Sequence, residues 1–317
     1  MNPLPANVPT NRVQRFRLVG TLVSAALLVY LIAKHWDEIL AAFQQISLGR
    51  LLLALVLIII SRFAVGSRWY MLLRATDVQV SWGQTIRLTF AGLFASNFLP
   101  TTIGGDVVRL AGAVQLKIDG AISTTSLIVD RLVGMLGMAL ALPLGLEPLA
   151  AWFRDSSALR FHVSLAMLTT GDRMQKWRQR CTRTLRRVWE SLSVWLQQPR
   201  SLMEAIFFTG IHMLCLFGAI MVLLDDMGDP LSLWVIGGLW SFVYFITLLP
   251  ISINGYGVQE LSMIFVFSRI GGISYSSALT IAVLMRTIQM LASLPGAAFV
   301  PAIMAGTQYQ DKQHVSK

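Results

Sequence analysis

The sequence predicts an all-α polytopic integral membrane protein, and three observations carry that reading. Of the 317 residues, 55% are hydrophobic and 13% charged, with a mean hydropathy of +0.63. A soluble domain carries about 25% charged residues. Apolar runs of near-membrane length recur along the chain. A Pro/Gly-rich stretch that also carries charge occurs twice, around Pro100 and Pro250.

The first apolar run covers Leu18 to Ala33, preceded by Arg12, Arg15 and Arg17. It is long and lacks a clear small-residue cleavage site, so it reads as an uncleaved helix rather than a signal peptide. The basic residues before it put the N-terminus in the cytoplasm. The connection KHWDEILAAFQQIS is near neutral. The second span, about Arg50 to Leu73, then ends among Arg62, Arg68 and Arg74. A third stretch, about Thr85 to Leu99, stops at Pro100. A fourth, about Ser123 to Leu146, contains Asp130 and Arg131, and an exposed loop is expected from Glu147 to Ser157.

A weak apolar run at Ala158 to Thr169 precedes a segment rich in Arg, Lys and Trp. Its basic residues, Arg173 to Arg187, predict an amphipathic helix on the anionic inner leaflet. A nucleic-acid patch would use the same charges, but membrane spans flank the segment on both sides. Leu202 to Leu224 is the next span and exits into the acidic DDMGDP. Leu231 to Leu249 follows and stops at Pro250. The last apolar region, about Ser274 to Ala305, holds Arg286 and is broken at Pro295-Gly296. About seven to nine membrane segments result, in one domain. Its first half is about 18–170, its basic cytoplasmic segment about 172–200 and its second half about 202–305.

FASNFLPTTIGGDVVRLAGAV begins at Phe94 and FITLLPISINGYGVQELSMIF at Phe245. Leu-Pro follows each Phe, and Ile comes three residues after each Pro, at Ile103 and Ile253. Then come Gly104-Gly105 in one copy and Asn254-Gly255 in the other. Arg131 and Arg286 sit inside later spans, and Leu142-Pro143 and Leu294-Pro295 follow them. Matches in one order at a near-constant offset indicate an internal duplication. Irregular backbone at membrane depth is tolerated where protein or a watery cavity satisfies it. Paired Pro/Gly-interrupted segments therefore point to broken or re-entrant helices around a binding site. Pro100, Gly104, Gly105, Pro250, Asn254, Gly255 and Gly257 are the expected helix breakers.

The charges have two readings. Asp106 suits a helix N-terminus and can pair with Arg109 three residues on. Alternatively, Arg109 faces a cavity and meets a phosphate with its planar fork. Arg131 and Arg286 are functional candidates by their depth, or belong to structural ion pairs with Asp130 or Glu260. Asn97, Asp106, Arg109, Asp130, Arg131, Glu260 and Arg286 are the candidate headgroup and cavity residues. Glu204 and His212 lie eight residues apart on one helix face, and structural roles are expected for both. The four histidines, at 35, 162, 212 and 314, are scattered, and Cys181 and Cys215 lack metal or redox spacing. No metal site and no cofactor is expected.

The motifs N-F-L-P-T-T-I-G-G-D-V-V-R (Asn97 to Arg109), Asp130-Arg131 and L-P-I-S-I-N-G-Y-G-V-Q-E (Leu249 to Glu260) resemble the transmembrane region of lysylphosphatidylglycerol synthases, the flippase-like domain family. The resemblance spans nearly the whole chain and implies a stand-alone form without the soluble synthase domain. It implies movement of a phospholipid or lipid-linked headgroup between leaflets of a bacterial inner membrane. The expected partner is that lipid, with no nucleic acid, and nothing in the sequence fixes an oligomeric state. The expected protein is not an enzyme. Two alternatives stay open: a membrane-embedded lipid or lipid-sugar transferase, and a small-solute secondary transporter.

Overall fold

The computed structural model describes residues 11–76, 78–98, 104–155, 198–249, 252 and 254–303. Pro100, Pro250, Ile103, Ile253, the run Ala158 to Thr169, the basic residues Arg173 to Arg187, and Cys181 lie outside them. Among the described residues every regular element is helical. The elements are α1 (Asn11–Lys34), α2 (Trp36–Gln45), α3 (Leu48–Arg74), α4 (Trp82–Phe98), α5 (Gly104–Gln115), α6 (Gly120–Ala141), α7 (Leu146–Asp155), α8 (Pro199–Asp226), α9 (Leu233–Thr247), α10 (Val258–Phe265) and α11 (Tyr275–Ser293). Short 3₁₀ turns follow α6 (Leu142–Gly145) and α11 (Leu294–Ala298), and a π-turn (Val266–Ile270) extends α10.

Four helical stretches are long and apolar enough to cross a membrane: Leu48–Arg74, Gly120–Trp152, Pro199–Asp226 and Tyr275–Ala298. The 27 residues of α3 extend about 40 Å at about 1.5 Å per residue, beyond the hydrocarbon thickness of about 30 Å. Leu52, Leu53, Val56 and Ile60 on α3 and Met203, Ile206 and Phe207 on α8 are exposed. Outward-facing apolar residues in such numbers are what lipid covers. The chain is an integral membrane protein.

The loop expected from Glu147 to Ser157 is helical to Asp155. Pro148 falls in the first turn of α7, where its missing N–H costs no hydrogen bond. Glu147 in that turn and Arg154 in the last match the helix dipole. The near-neutral connection after α1 is also mostly helix, as α2.

Side-chain caps start several of these helices. Ser47, Ser232 and Ser274 each accept a bond from a backbone N–H three residues on, and the Asp119 carboxylate accepts from Ala121 and Ile122. The Asp226 carboxylate at the end of α8 accepts from the Ser47 N–H at 2.9 Å and pairs with Arg50 at 3.0 Å. This fixes the start of α3 to the end of α8. Asp229 does the same for α11, accepting from the Ser274 hydroxyl at 2.6 Å and its N–H at 3.2 Å. Burial raises the Asp229 pKa, but hydrogen bonds from Ser274 and Ser277 outweigh it and hold the carboxyl below its ordinary value.

The main core gathers α3, α8, α9, α10 and α11, with Ile58, Ile220, Leu223, Leu239, Met263, Phe267 and Met285 almost fully buried. A second core joins α3, α4, α5 and α6 around Trp69, Leu73, Ala91 and Val108. Two crossings are built from glycine. The turn after α6 lies against α9, and a Cβ on Gly145 would sit 2.9 Å from the Gly238 carbonyl carbon and 3.0 Å from the Phe242 ring. The turn after α11 lies against α4, with Gly296 pressed on the Phe90 backbone and a Cβ there 2.8 Å from Phe94. The two contacts are alike: the turn after α6 rests on α9, which precedes the second Pro/Gly stretch, and the turn after α11 rests on α4, which precedes the first.

A Cβ added at Gly238 would collide with the Gly145 backbone, which cannot swing aside. Gly238→Val is expected to cost about 1–3 kcal/mol of stability by overpacking. Gly49→Ala, where a Cβ meets nothing within 4 Å, is expected to leave stability unchanged. Thermal unfolding of both variants in detergent measures the difference.

Candidate functional site

The second Pro/Gly motif is an irregular link between helices. α9 stops at Thr247, and α10 begins only at Val258. Between them Asn254 (φ 53°), Gly255 (φ 72°) and Gly257 (φ 75°) occupy the left-handed region that L side chains resist. Asn tolerates it better than most, which suits Asn254 to the position. In the first motif, α4 ends at Phe98 and α5 starts at Gly104. These two helices pack closely: a Cβ on Gly92 would sit 2.7 Å from the Gly105 carbonyl oxygen.

The two motifs meet. The Asn254 side-chain amide donates to the Ser96 carbonyl oxygen, and the Tyr256 hydroxyl donates to the Asn97 carbonyl oxygen. Asn97 itself donates to the Ser293 hydroxyl at 3.0 Å. The last turn of α4, the loop before α10 and the end of α11 therefore converge at one place.

The ionised residues sort into three groups. Asp130, 2% exposed, is shared by two arginines. Arg68 donates to one carboxylate oxygen at 2.7 Å and Arg109 to the other at 3.2 Å. Arg109 also lies 4.2 Å over the Trp69 ring and 3.5 Å from Asp106. The second group is Arg131 with Asp106, and the third is Arg286 with Glu260. In both, a mid-span arginine meets the acid in the first turn of the short helix after the break. Arg286 lies 4.8 Å over the Tyr256 ring, as Arg109 lies over Trp69.

In one of its two readings the sequence offers Asp130 or Glu260 as the partner of Arg131, and the helix geometry gives it Asp106 instead. Consecutive residues point about 100° apart on a helix. Asp130 is buried against α3, while the Arg131 side chain is 63% exposed and turns toward α5.

A cavity of about 550 Å³ lies beside the second motif. Of the sequence candidates, Arg131, Asn254 and Gly255 line it. Asp106 stands behind Arg131, and Asn97 accepts from Tyr256 two residues beyond Asn254. Arg109, Asp130 and Glu260 are buried in the helix interfaces described above, Arg286 is partly buried beside Glu260, and Gly104, Gly105 and Gly257 belong to the breaks. Glu204 pairs with Arg200 at 3.3 Å in the first turns of α8. His212 reaches the cavity, with Nδ1 2.7 Å from the Ser61 hydroxyl.

Sequence reasoning passed over Arg62 and Arg68 because they fit a cluster of positive residues at a span end. Arg62 is in fact near the middle of α3 and lines the cavity. Its depth was the available signal, as it was for Arg131 and Arg286. Among the described residues no carboxylate lies within ion-pair distance of Arg62, and its Nε is buried without a partner. Also among the described residues, no cluster of His, Cys, Asp or Glu could hold a metal.

The family model described as the lysylphosphatidylglycerol synthase TM region matches residues 17–296. The chain belongs to the lysylphosphatidylglycerol synthase transmembrane-region family. No curated protein matches it. Membership associates this membrane protein with a lipid-related function.

Replacing Asp130 leaves Arg68 and Arg109 buried without their shared counter-charge. Asp130→Ala is expected to lose about 3–5 kcal/mol, whereas Arg131→Ala, at an exposed pair, should lose under about 1 kcal/mol. Denaturation in detergent followed by helical circular dichroism compares them.

Proposed function

We propose that the protein translocates a phospholipid or lipid-linked headgroup across the bacterial inner membrane, through the polar cavity between two related halves. It does so as a transporter and not as an enzyme. The observation that carries this reading is Arg62, an arginine in mid-span on a cavity wall with no carboxylate partner among the described residues. An unpaired cation at that depth is costly, and a bound phosphate would offset the cost.

The rest of the site fits the same role. Arg131 supplies a second cation on the same cavity. Leu248 and Leu249 line the cavity and are also about half exposed, which gives acyl tails a lateral way out while the headgroup stays inside. The like contacts of the two 3₁₀ turns, and the matched pairs Arg131–Asp106 and Arg286–Glu260, support two related halves, about 18–170 and 202–305. The segment 172–200 joins them and would lie on the anionic inner leaflet, on the side of the N-terminus. The broken segments would then be re-entrant elements meeting near the midplane, as in transporters built from repeats.

A leaflet-exposure assay tests this. Tail-labelled fluorescent phosphatidylglycerol is reconstituted with the protein, and a membrane-impermeant quencher is added. Wild type is expected to lose signal well beyond the roughly half held in the outer leaflet, and Arg62→Gln to approach protein-free vesicles. Identical curves for wild type and empty vesicles, repeated with polyprenyl-linked lipid, would reject translocation.

A further inference from the structure

We propose that the cavity selects lipids whose phosphate carries an uncharged polyol, glycerol or a sugar, and discriminates against lipids with an amine in the headgroup. This deepens the translocation reading and rests on it.

Three observations lead there. The first is the charge balance at membrane depth around the cavity. Among the described residues, the ion pairs of Arg62, Arg68, Arg109, Arg131 and Arg286 reach only Asp106, Asp130 and Glu260. Five cations against three carboxylates leave an excess of two positive charges, and Arg62 holds one of them on the cavity wall. An anion is attracted there, and an ammonium group is repelled more strongly than it would be in water.

The second is where the acids are. No Asp or Glu is among the described residues that line the cavity. Each of the three nearby carboxylates already serves an arginine: Asp106 serves Arg131 and Arg109, Asp130 serves Arg68 and Arg109, and Glu260 serves Arg286. An amine headgroup would have to take a carboxylate from one of these arginines, which exposes another unpaired charge.

The third is what else lines the wall. Gln259, Gln289 and Tyr244 line the cavity, and among the described residues none has a side-chain hydrogen-bond partner. Two amides and a phenol supply both donors and acceptors, which suits the paired donor and acceptor character of sugar or glycerol hydroxyls. Unpartnered polar groups in a site favour the ligand that satisfies them over the one that does not. A volume of about 550 Å³ lies within the range of roughly 300–1,000 Å³ common to small-ligand sites and accommodates a phosphate with one such group. The selection would exclude lysylphosphatidylglycerol, whose amines would enter the field of Arg62 and Arg131.

Native mass spectrometry of the full chain in detergent tests the proposal. The protein is offered equimolar phosphatidylglycerol, a polyprenyl-monophosphate hexose, phosphatidylethanolamine and lysylphosphatidylglycerol of known chain lengths. Adducts of at least one polyol phosphate should exceed each amine lipid by about tenfold or more. The comparison of phosphatidylglycerol with the hexose lipid decides between glycerol and sugar. Arg62→Gln should abolish the excess, and Arg62→Lys should keep part of it. Gln289→Leu removes no charge, and it should weaken polyol lipids while leaving phosphatidylethanolamine unchanged. Equal binding of amine lipids overturns the proposal. So does a preference that survives Arg62→Gln, because it would then belong to the basic surface. A retained preference without any leaflet exchange would instead reject translocation alone.

Discussion

The fold is organised by one constraint: a charge placed at membrane depth must find its counter-charge within the protein. Asp130 meets it for two arginines at once. Arg68 comes from α3, Arg109 from α5 and Asp130 from α6, so one buried carboxylate fixes three helices. Trp69 caps the cluster, with its ring under Arg109 and its indole N–H donated to Ser126 at 3.1 Å. The glycines of α4 and α5 then matter because they let Arg109 come close enough to reach. Gly92 touches the Arg109 side chain, and no Cβ fits between them.

The same constraint explains why an arginine left out of the pairing is informative. Arg286 and Arg131 are each answered by an acid, but among the described residues Arg62 is not. Neutralising it with a nearby carboxylate would make the cavity a stable, closed piece of protein. Leaving it open makes the cavity a place where an anion lowers the energy of the whole assembly. On the proposed translocation role, that affinity would have to be moderate. The neighbouring wall of Gln259, Gln289 and Tyr244 is polar and uncharged, and can exchange hydroxyl partners without trapping them.

Much of this was legible in the sequence. Composition and run length revealed the helical membrane class, and the doubled Pro/Gly stretch located the places where α4 and α9 stop. Glu260 was one of two partners that the sequence offered for the mid-span arginines, and it pairs with Arg286. Other features needed three dimensions. Asp130 and Arg131 are neighbours in sequence, but helical rotation sends them to different partners. Arg62 and Arg68 resembled a topological cluster at a span end, and only the packing of α3 shows Arg62 on the cavity wall and Arg68 paired with Asp130. The helix α7 was hidden because Pro148 and the charges of its first and last turns resemble those of a loop, and they are equally good helix-end residues. The seating of the two 3₁₀ turns depends on contacts between residues far apart in the chain, Gly145 with Gly238 and Gly296 with Phe90, which no local pattern encodes.

The most direct test of the account is where a headgroup sits. A phospholipid carrying a photoreactive group in its headgroup, crosslinked in native membranes and mapped by peptide mass spectrometry, answers that question. The account predicts crosslinks on the cavity wall, in Tyr244 to Leu249 and in the Asn254 to Gln259 link, and predicts that Arg62→Gln removes them. Crosslinks confined to the outward apolar faces of α3 and α8, unchanged in Arg62→Gln, would contradict it.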